Sequence, residues 1–491
     1  MSAMILTLLA IALVPIFVIY TRIKLPPHLK SVPGLPAITV FKCLFAKKGF
    51  AQSLREKLFP ILEEHKIGRS FFGTGWIVFL SDPEDCRKLC AQTSKEPPNH
   101  FVIKFLGDNI VSTNGVEWKK HRKVASPAFR RHWPVELFAG CVRDLFDAID
   151  ANVKQTQDAH DLLQRMTLDV LGKGLFEYDF KALKNRHSQR CKMYNEVMKG
   201  IFNPLNFFFP FLSSLPMARN RRLKGKMGEF NTLLYTILEE KQQRYKENIA
   251  DGSFDERTAD LLTLMIHSAY EDQTLSDEEL RSNLLIFFIA GHDTTANSLS
   301  SILCYLAMFP KCQEKARQEA LSVLGNDPLV PPTSEQQAKE LPYINAIIKE
   351  AIRLVPPVGN LGGRVCTEPV EFQGRRFPTG TRFAPHIYCM QRSKHLWKDP
   401  DSFRPERFLD EEKLTPHSWI PFGAGPRQCI GMVFSLMEQR VTLSMLLRKY
   451  RWSLPKASIH ENGVLRIRPT GLLAPESSEL CFEPLVDQAP N

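Results

Sequence analysis

The longest unbroken helical pattern in the chain begins at Ser276, where apolar residues start to recur three and four positions apart, and it runs to Met308 before Phe309-Pro310 stops it. Glu279, three residues after Ser276, completes a capping box that fixes the start. A helix of this length crosses a whole domain. Residues 135–268 also follow a helical period, and 202–215 form an aromatic, proline-broken stretch within it. Short helices are predicted over 83–92 and from about Pro342, a residue suited to the first helical turn. Strand-like alternation is scarce. Residues 69–80, with Phe71, Phe72, Trp76, Ile77, Val78 and Phe79, predict a hairpin turning at Gly73-Thr74-Gly75, and 370–377 predict a small strand patch. The fold class is therefore mainly α with a small β region.

Residues 4–20 are uncharged and mostly apolar, and as a helix they span about 26 Å at ~1.5 Å per residue. The hydrocarbon core of an endoplasmic-reticulum bilayer is about 27 Å thick, whereas the apolar core of a cleaved signal has about 7 to 15 residues. Arg22, Lys24 and Lys30 follow the run at once, and positive charge stays on the cytosolic side. The expectation is a membrane anchor over 1–21 with the body in the cytosol. Pro26-Pro27 and Pro33-Gly34-Leu35-Pro36 predict a stiff proline-rich hinge over 22–36. No linker or repeat divides the remainder, so 37–491 reads as one catalytic domain.

With 491 residues, 44% of them hydrophobic, the chain can bury a large core. Its 11 cysteines are odd in number and without paired spacing, which argues against a disulfide framework and for a reducing compartment. Cys86 and Cys90 stand four apart in a predicted helix, with no nearby His/Cys pair to complete a zinc set. A net charge of +11 without base-reading motifs makes no case for nucleic acid.

The densest chemistry lies at Pro421-Phe422-Gly423-Ala424-Gly425-Pro426-Arg427-Gln428-Cys429-Ile430-Gly431, a glycine-rich loop running into a helix with one cysteine at the joint. A thiol at a helix N-terminus meets unpaired backbone NH groups and the positive end of the dipole, so Cys429 is a candidate iron ligand. The glycines let the backbone lie against something flat, while Phe422 offers an apolar ring and Arg427 a cation for an acidic edge. In the middle of the long helix, Ala290-Gly291-His292-Asp293-Thr294-Thr295 sets an acid beside a hydroxyl among apolar residues. Buried polar groups in such a helix call for a purpose. His292 reads as a spacer or local hydrogen-bond partner.

The loop motif Phe-Gly-x-Gly-x-Arg-x-Cys-x-Gly resembles, position for position, the haem-binding loop of the cytochrome P-450 family, the haem-thiolate monooxygenases. Residues 290–295 are similar to that family's helix over the haem, Glu350-x-x-Arg353 with Arg407 to its buried structural cluster, and Trp118-x-x-x-Arg122 and Arg364 to its propionate contacts. The resemblance implies the cytochrome P-450 fold with its long central helix over the haem. It also implies haem b ligated by Cys429, with Trp118, Arg122, Arg364, Phe422 and Arg427 around it. Asp293 and Thr294 then supply the proton path to dioxygen, and an apolar substrate is hydroxylated. The family's pocket falls at Phe207, Phe208, Phe209 and Phe211 together with Phe287, Phe288, Val355, Val358 and Leu361. Electrons are to come from a separate NADPH-cytochrome reductase, a flavoprotein, docking on Lys119, Lys120, Arg122, Lys123, Arg130 and Arg131. Ala290 stands where the ω-hydroxylase branch often has an ester-forming Glu, which implies non-covalently held haem. Ser435 in place of the family's usual Ala, and Gln391-Arg392-Ser393 in place of His-Arg-Asp, bear on subfamily. Two alternatives remain: a haem-thiolate isomerase or dehydratase that needs no dioxygen, and a non-catalytic membrane haem-binding protein. The Asp293-Thr294 pair speaks against both.

Overall fold

The computed structural model describes residues 23–485 apart from 73–74, 92–93, 96–104, 131–132, 154, 186–188, 202–211, 214, 258, 273, 411–412, 461–462 and 469–471. The expected anchor over 1–21, the turn residues Gly73 and Thr74, Arg131, and Phe207, Phe208, Phe209 and Phe211 lie outside the described residues. From the N-terminus the described helices of eight residues or more are α1 Ala37–Leu44, α2 Phe50–His65, α3 Pro83–Ala91, α4 Gly115–Arg130, α5 Val135–Asp150, α6 Ala159–Phe176, α7 Gln189–Ile201 and α8 Ala218–Ala250. They continue with α9 Leu261–Asp272, α10 Asp277–Met308, α11 Pro310–Leu324, α12 Pro342–Leu354 and α13 Met432–Lys449.

The capping box forms at the start of α10: Glu279 N donates to Ser276 Oγ at 3.3 Å, and Ser276 N donates to Glu279 Oε2 at 2.8 Å. Two orphan NH groups are thereby satisfied. The helix then runs for 32 residues, buried from Leu280 through Ile289 and from Thr295 through Leu306. Burial on all sides explains why its apolar positions are not confined to one stripe. Around it pack α6, α12 and α13, with Phe176 stacked on Phe288 at 4.5 Å and Phe434 of α13 set edge-on to Trp133 at 4.7 Å.

The predicted hairpin forms as β1 Ile67–Phe72 and β2 Gly75–Leu80, antiparallel in register Ile67↔Leu80 through Phe72↔Gly75. With β4 Arg364–Val365 and β7 Arg382–Pro385, numbered in chain order with β3 below, it makes a four-stranded sheet ordered β1-β2-β7-β4. The patch at 370–377 is a second hairpin, β5 Val370–Phe372 with β6 Arg375–Phe377. A third sheet, β3 Thr156–Asp158, β9 Glu479–Pro484 and β8 Tyr450–Ser453, closes the far end. The proline-rich segment after residue 22 rests on the hairpin rather than standing clear of it. Leu29 and Val32 are buried, and Arg69 donates to Leu29 O at 3.1 Å.

Candidate active site

The loop before α13 is held from three sides. Trp419 Nε1 donates to Lys349 O of α12 at 3.1 Å, which fixes its entry, and Cys429 N donates to Phe422 O at 2.9 Å, which closes it on itself. Gly425 has φ +68, and a Cβ there would lie 2.6 Å from Cys90 O of α3, so only glycine fits. A three-residue 3-10 turn, Gly425–Arg427, precedes Cys429, and Gly431 caps α13 two residues after it. The thiol is thus just outside the helix rather than in its first turn.

Cys429 is exposed, and yet burial is the main cause that raises its thiol above the usual value. The two observations together describe a sulfur that opens onto an internal hollow walled by protein. The Gly431 NH, Arg122 and Lys95 oppose the rise and do not overcome it, so the helix-terminus argument alone is overridden by desolvation. A metal cation at the sulfur would reverse that balance, because a coordinating thiol is deprotonated outright.

Three basic side chains, Arg364, Arg427 and Arg122, gather around Lys95, and two of the four, Lys95 and Arg122, act on this thiol. Arg427 stacks on Trp118 with its guanidinium 4.1 Å from the ring and donates to Thr113 O at 2.7 Å and Asn114 Oδ1 at 2.9 Å. Asn114 holds the Lys95 backbone on both sides, accepting from its NH at 2.7 Å and donating to its carbonyl at 3.0 Å, and Lys95 bridges to Arg364. Arg122 Nη1 donates to Gln428 O at 3.1 Å. Lys95 is brought down to about 7, by burial first and then by Arg364 and Arg427; Arg427 falls to about 10 from burial, Arg364 and Arg122. Burial also lowers Arg122 and Arg364. Such a cluster fits a ligand that brings negative charge. Lys95 escaped the reading of the sequence, where it is an isolated lysine before Glu96-Pro97-Pro98; only the bridge to Arg364 reveals it.

On α10, Ala290 is exposed and Thr294 partly so, in the middle of a helix otherwise buried. Accessible surface at that place requires empty space inside the domain. Thr294 Oγ1 donates to Ala290 O at 2.7 Å. Asp293 points about 100° round the helix from Thr294, toward α6 and α7. There it accepts from Gln164 Nε2 at 2.7 Å and from Tyr194 OH at 3.4 Å. The acid and the alcohol, adjacent in sequence, therefore address different surroundings. One residue on, Thr295 Oγ1 lies 2.9 Å from Ser435 Oγ, which in turn accepts from Gln439 Nε2 at 3.1 Å, clamping α10 to α13. Exposed Ala290 and partly exposed Thr294 on one helix, and exposed Cys429 before the other, all lie N-terminal to that clamp. The thiol, the flat glycine-rich loop, the small residues of α10 and the cation ring together fit an iron porphyrin with acidic side groups.

Behind the loop, Glu350 and Arg353 are fully buried. Arg353 donates to both Glu350 oxygens, at 2.6 and 2.9 Å, Arg407 Nε donates to Oε1 at 3.0 Å, and the Arg404 NH adds a fourth donor at 2.9 Å. This is the internal cluster expected of the three residues.

Of the residues that could line a pocket or equally be core, Phe287 packs edge-on against Phe129 at 5.4 Å, Phe288 stacks on Phe176, and Val355 is wholly buried, so these three sit in the core. Phe288 lies two residues before Ala290 and so faces away from the hollow. Val358 and Leu361 remain partly exposed, and Leu361 Cδ1 comes within 3.6 Å of the Gly423 Cβ position. The basic group also divides. Lys119, Lys123 and Arg130 are exposed, whereas Arg122 turns to Gln428 and Lys120 pairs with Glu279 at 2.8 Å and Glu117 at 3.1 Å.

The sequence model of the cytochrome P-450 family matches residues 32–482, and the chain belongs to that family. It is 29% identical over 403 residues to cytochrome P-450 4d2 of Drosophila melanogaster, covering 76% of this chain and 78% of that one. To cytochrome P-450 3A9 of Rattus norvegicus it is 28% identical over 421 residues, covering 82% and 81%. Among solved structures, the cytochrome P450DA haem domain matches with a TM-score of 0.77 at 21% identity, over 92% of this chain and 97% of that one, which shows the fold. Membership makes the protein a haem-thiolate monooxygenase in general terms, with haem carried on a cysteine thiolate, a small-molecule substrate and a redox partner. Among the described residues no helix is long and apolar enough to cross a membrane.

Proposed function

We propose that Cys429 is the thiolate ligand of the haem and that the protein hydroxylates an apolar substrate with electrons from NADPH through a separate flavoprotein reductase. The observation that carries this reading is an accessible thiol acted on by Arg122 and Lys95, with Arg364 and Arg427 gathered on Lys95, in a domain whose long buried helix is accessible at Ala290 and partly at Thr294. Haem bound there supplies dioxygen binding and its reductive activation. The chain supplies the rest. Lys95, Arg122, Arg364 and Arg427 neutralise the acidic side groups and orient the ring; Trp118, under Arg427, keeps that guanidinium in plane. The Thr294 hydroxyl holds a proton beside the hollow, and Asp293 brings protons from the α6–α7 side. Val358 and Leu361 give the hollow an apolar edge that excludes water and favours an apolar guest.

Lys119, Lys123 and Arg130 on α4 form the exposed cationic face on which an acidic reductase docks. Residues 1–21 anchor the protein in the endoplasmic-reticulum membrane, and the catalytic body lies in the cytosol. Purified holoprotein reconstituted with reductase, NADPH and a panel of lipids, terpenoids and sterols tests the reading. A substrate that shifts the haem spectrum should raise NADPH oxidation and appear hydroxylated. Conversion of a peroxide without NADPH would instead favour the isomerase or dehydratase reading, and spectral shifts without any turnover a carrier.

A further inference from the structure

Asn283 of α10 is 1% exposed and is not used by the site as described, yet it reaches two segments far away in the chain. Ile110 N, 173 residues distant, donates to its Oδ1 at 3.0 Å. Its Nδ2 stands 2.8 Å from His121 Nδ1 of α4 and donates to Glu279 O at 2.9 Å. Turning the amide over would set two donors, Nδ2 and the Ile110 NH, against each other and Oδ1 against a carbonyl, so only one orientation serves. His121 Nδ1 must then accept, and the ring hydrogen sits on Nε2. Among the described residues that hydrogen has no acceptor within reach; Glu279 Oε1 is 3.7 Å off. Burial is the first cause that lowers the pKa of His121, which favours the neutral ring that Asn283 requires.

The segment that Asn283 holds is a knot. Val111 N and Ser112 N donate to Asn109 Oδ1 at 2.9 and 3.1 Å, Ser112 Oγ to Gly107 O at 3.1 Å, and Thr113 Oγ1 to Asn109 O at 2.7 Å. Tied in this way, residues 107–113 move as one piece. The long helix grips the segment a second time, because Arg281 Nη2 donates to Phe105 O at 3.0 Å. The other side of the knot meets the haem loop: Arg427 Nη1 donates to Ile110 O at 3.2 Å and Nη2 to Thr113 O at 2.7 Å. Ile110 therefore stands between Asn283 on its NH and Arg427 on its carbonyl. Asn283 also lies seven residues before Ala290, two turns or about 10 Å away on nearly the same face of α10.

We infer that Asn283 is a positioning residue for the haem seat: acting through the Ile110 backbone, it fixes the Arg427 guanidinium relative to the accessible stretch of α10. The inference rests on the proposed contact of Arg427 with the haem's acidic side groups, and Arg427→Gln tests that contact by itself.

Haem loss to a scavenger and the resonance Raman propionate bands of the ferric holoprotein read the seat. Asn283→Leu cuts the tie and should lose haem about tenfold faster, with shifted propionate bands. Asn283→Asp keeps an acceptor for the Ile110 NH, and His121 can turn a protonated Nδ1 toward it, so haem loss should stay within about twofold of wild type with unshifted bands. A merely structural role predicts the reverse, since a carboxylate is costlier to bury than leucine. Haem loss from Asn283→Asp about tenfold faster than wild type would overturn the inference, and that comparison stands even if Asn283→Leu fails to fold. The double variant Asn283→Leu/Arg427→Gln should lose haem no faster than Arg427→Gln alone; additive losses would overturn it too. Normal haem retention in Arg427→Gln would instead remove Arg427 from the haem, and the inference with it.

Discussion

Replacing Glu350 by Ala deletes the one carboxylate in a sealed cluster of arginines. Four donors lose their acceptor: two from Arg353, one from Arg407 and the backbone NH of Arg404. Arg353 is 0% exposed and cannot reach water; it retains carbonyl acceptors at Gln391 and Pro400, both at 2.8 Å, but no counter-charge within the cluster. Removing one partner of a buried pair costs about 3–5 kcal/mol, because an uncompensated charge is left in a low dielectric. That is roughly two to four powers of ten in the folded-to-unfolded ratio. The loss also reaches the loop, since α12 holds Trp419 through Lys349 O. Denaturant midpoints and the yield of haem-loaded protein should both fall. Glu335→Ala is the control: Lys339–Glu335 has the same local helical character but side chains 73% and 70% exposed, so its removal should cost under about 0.5 kcal/mol. If the two variants lose similar stability, the argument from burial is wrong.

Cys429→His should abolish the strongly red-shifted carbon-monoxide band of ferrous haem-thiolate; survival of that band would mean the ligand is another residue. Lys95→Met should act with opposite signs on the two forms of the protein, raising the melting temperature of haem-free chain by relieving cationic crowding and speeding haem loss to a scavenger; equal signs would remove Lys95 from the site. His160, depressed to about 4, and His386, depressed to about 3, both by burial first, bind protons more readily when unfolded. Their neutral burial costs nothing extra above pH ~6.5, and stability should drop as pH falls from there toward 4. Urea midpoints at pH 7.5 and 5 check this, and a flat profile would refute it. Thr294→Ala should retain substrate-induced spectral shifts while lowering product per NADPH; unchanged coupling would take Thr294 off the proton path.

The long helix was readable because its cap and its stop are local: Ser276, Glu279 and Phe309-Pro310 each act within one turn. The hairpin at 69–80 and the patch at 370–377 were legible for the same reason, since aromatic and β-branched residues stand on either side of a glycine-containing turn. Glu350 and Arg353 were legible as neighbours on a helix face, whereas their burial depended on Arg407 arriving from 57 residues away. What stayed hidden was set by chain crossings. Lys95 meets Arg364 only through a bridge between remote segments, and Gln164, Tyr194 and Arg468 reach the His292 region from three separate elements. Phe287, Phe288 and Val355, which the sequence left open between pocket and core, were undecidable there because proximity in sequence does not say which way a buried side chain turns.

Basic groups crowded on Lys95 beside the haem thiol make the polypeptide an unfinished object until its pigment arrives. Newly made chains then compete for porphyrin, and those that miss it are the ones quality control removes first. Porphyrin supply therefore bears on how much folded protein persists.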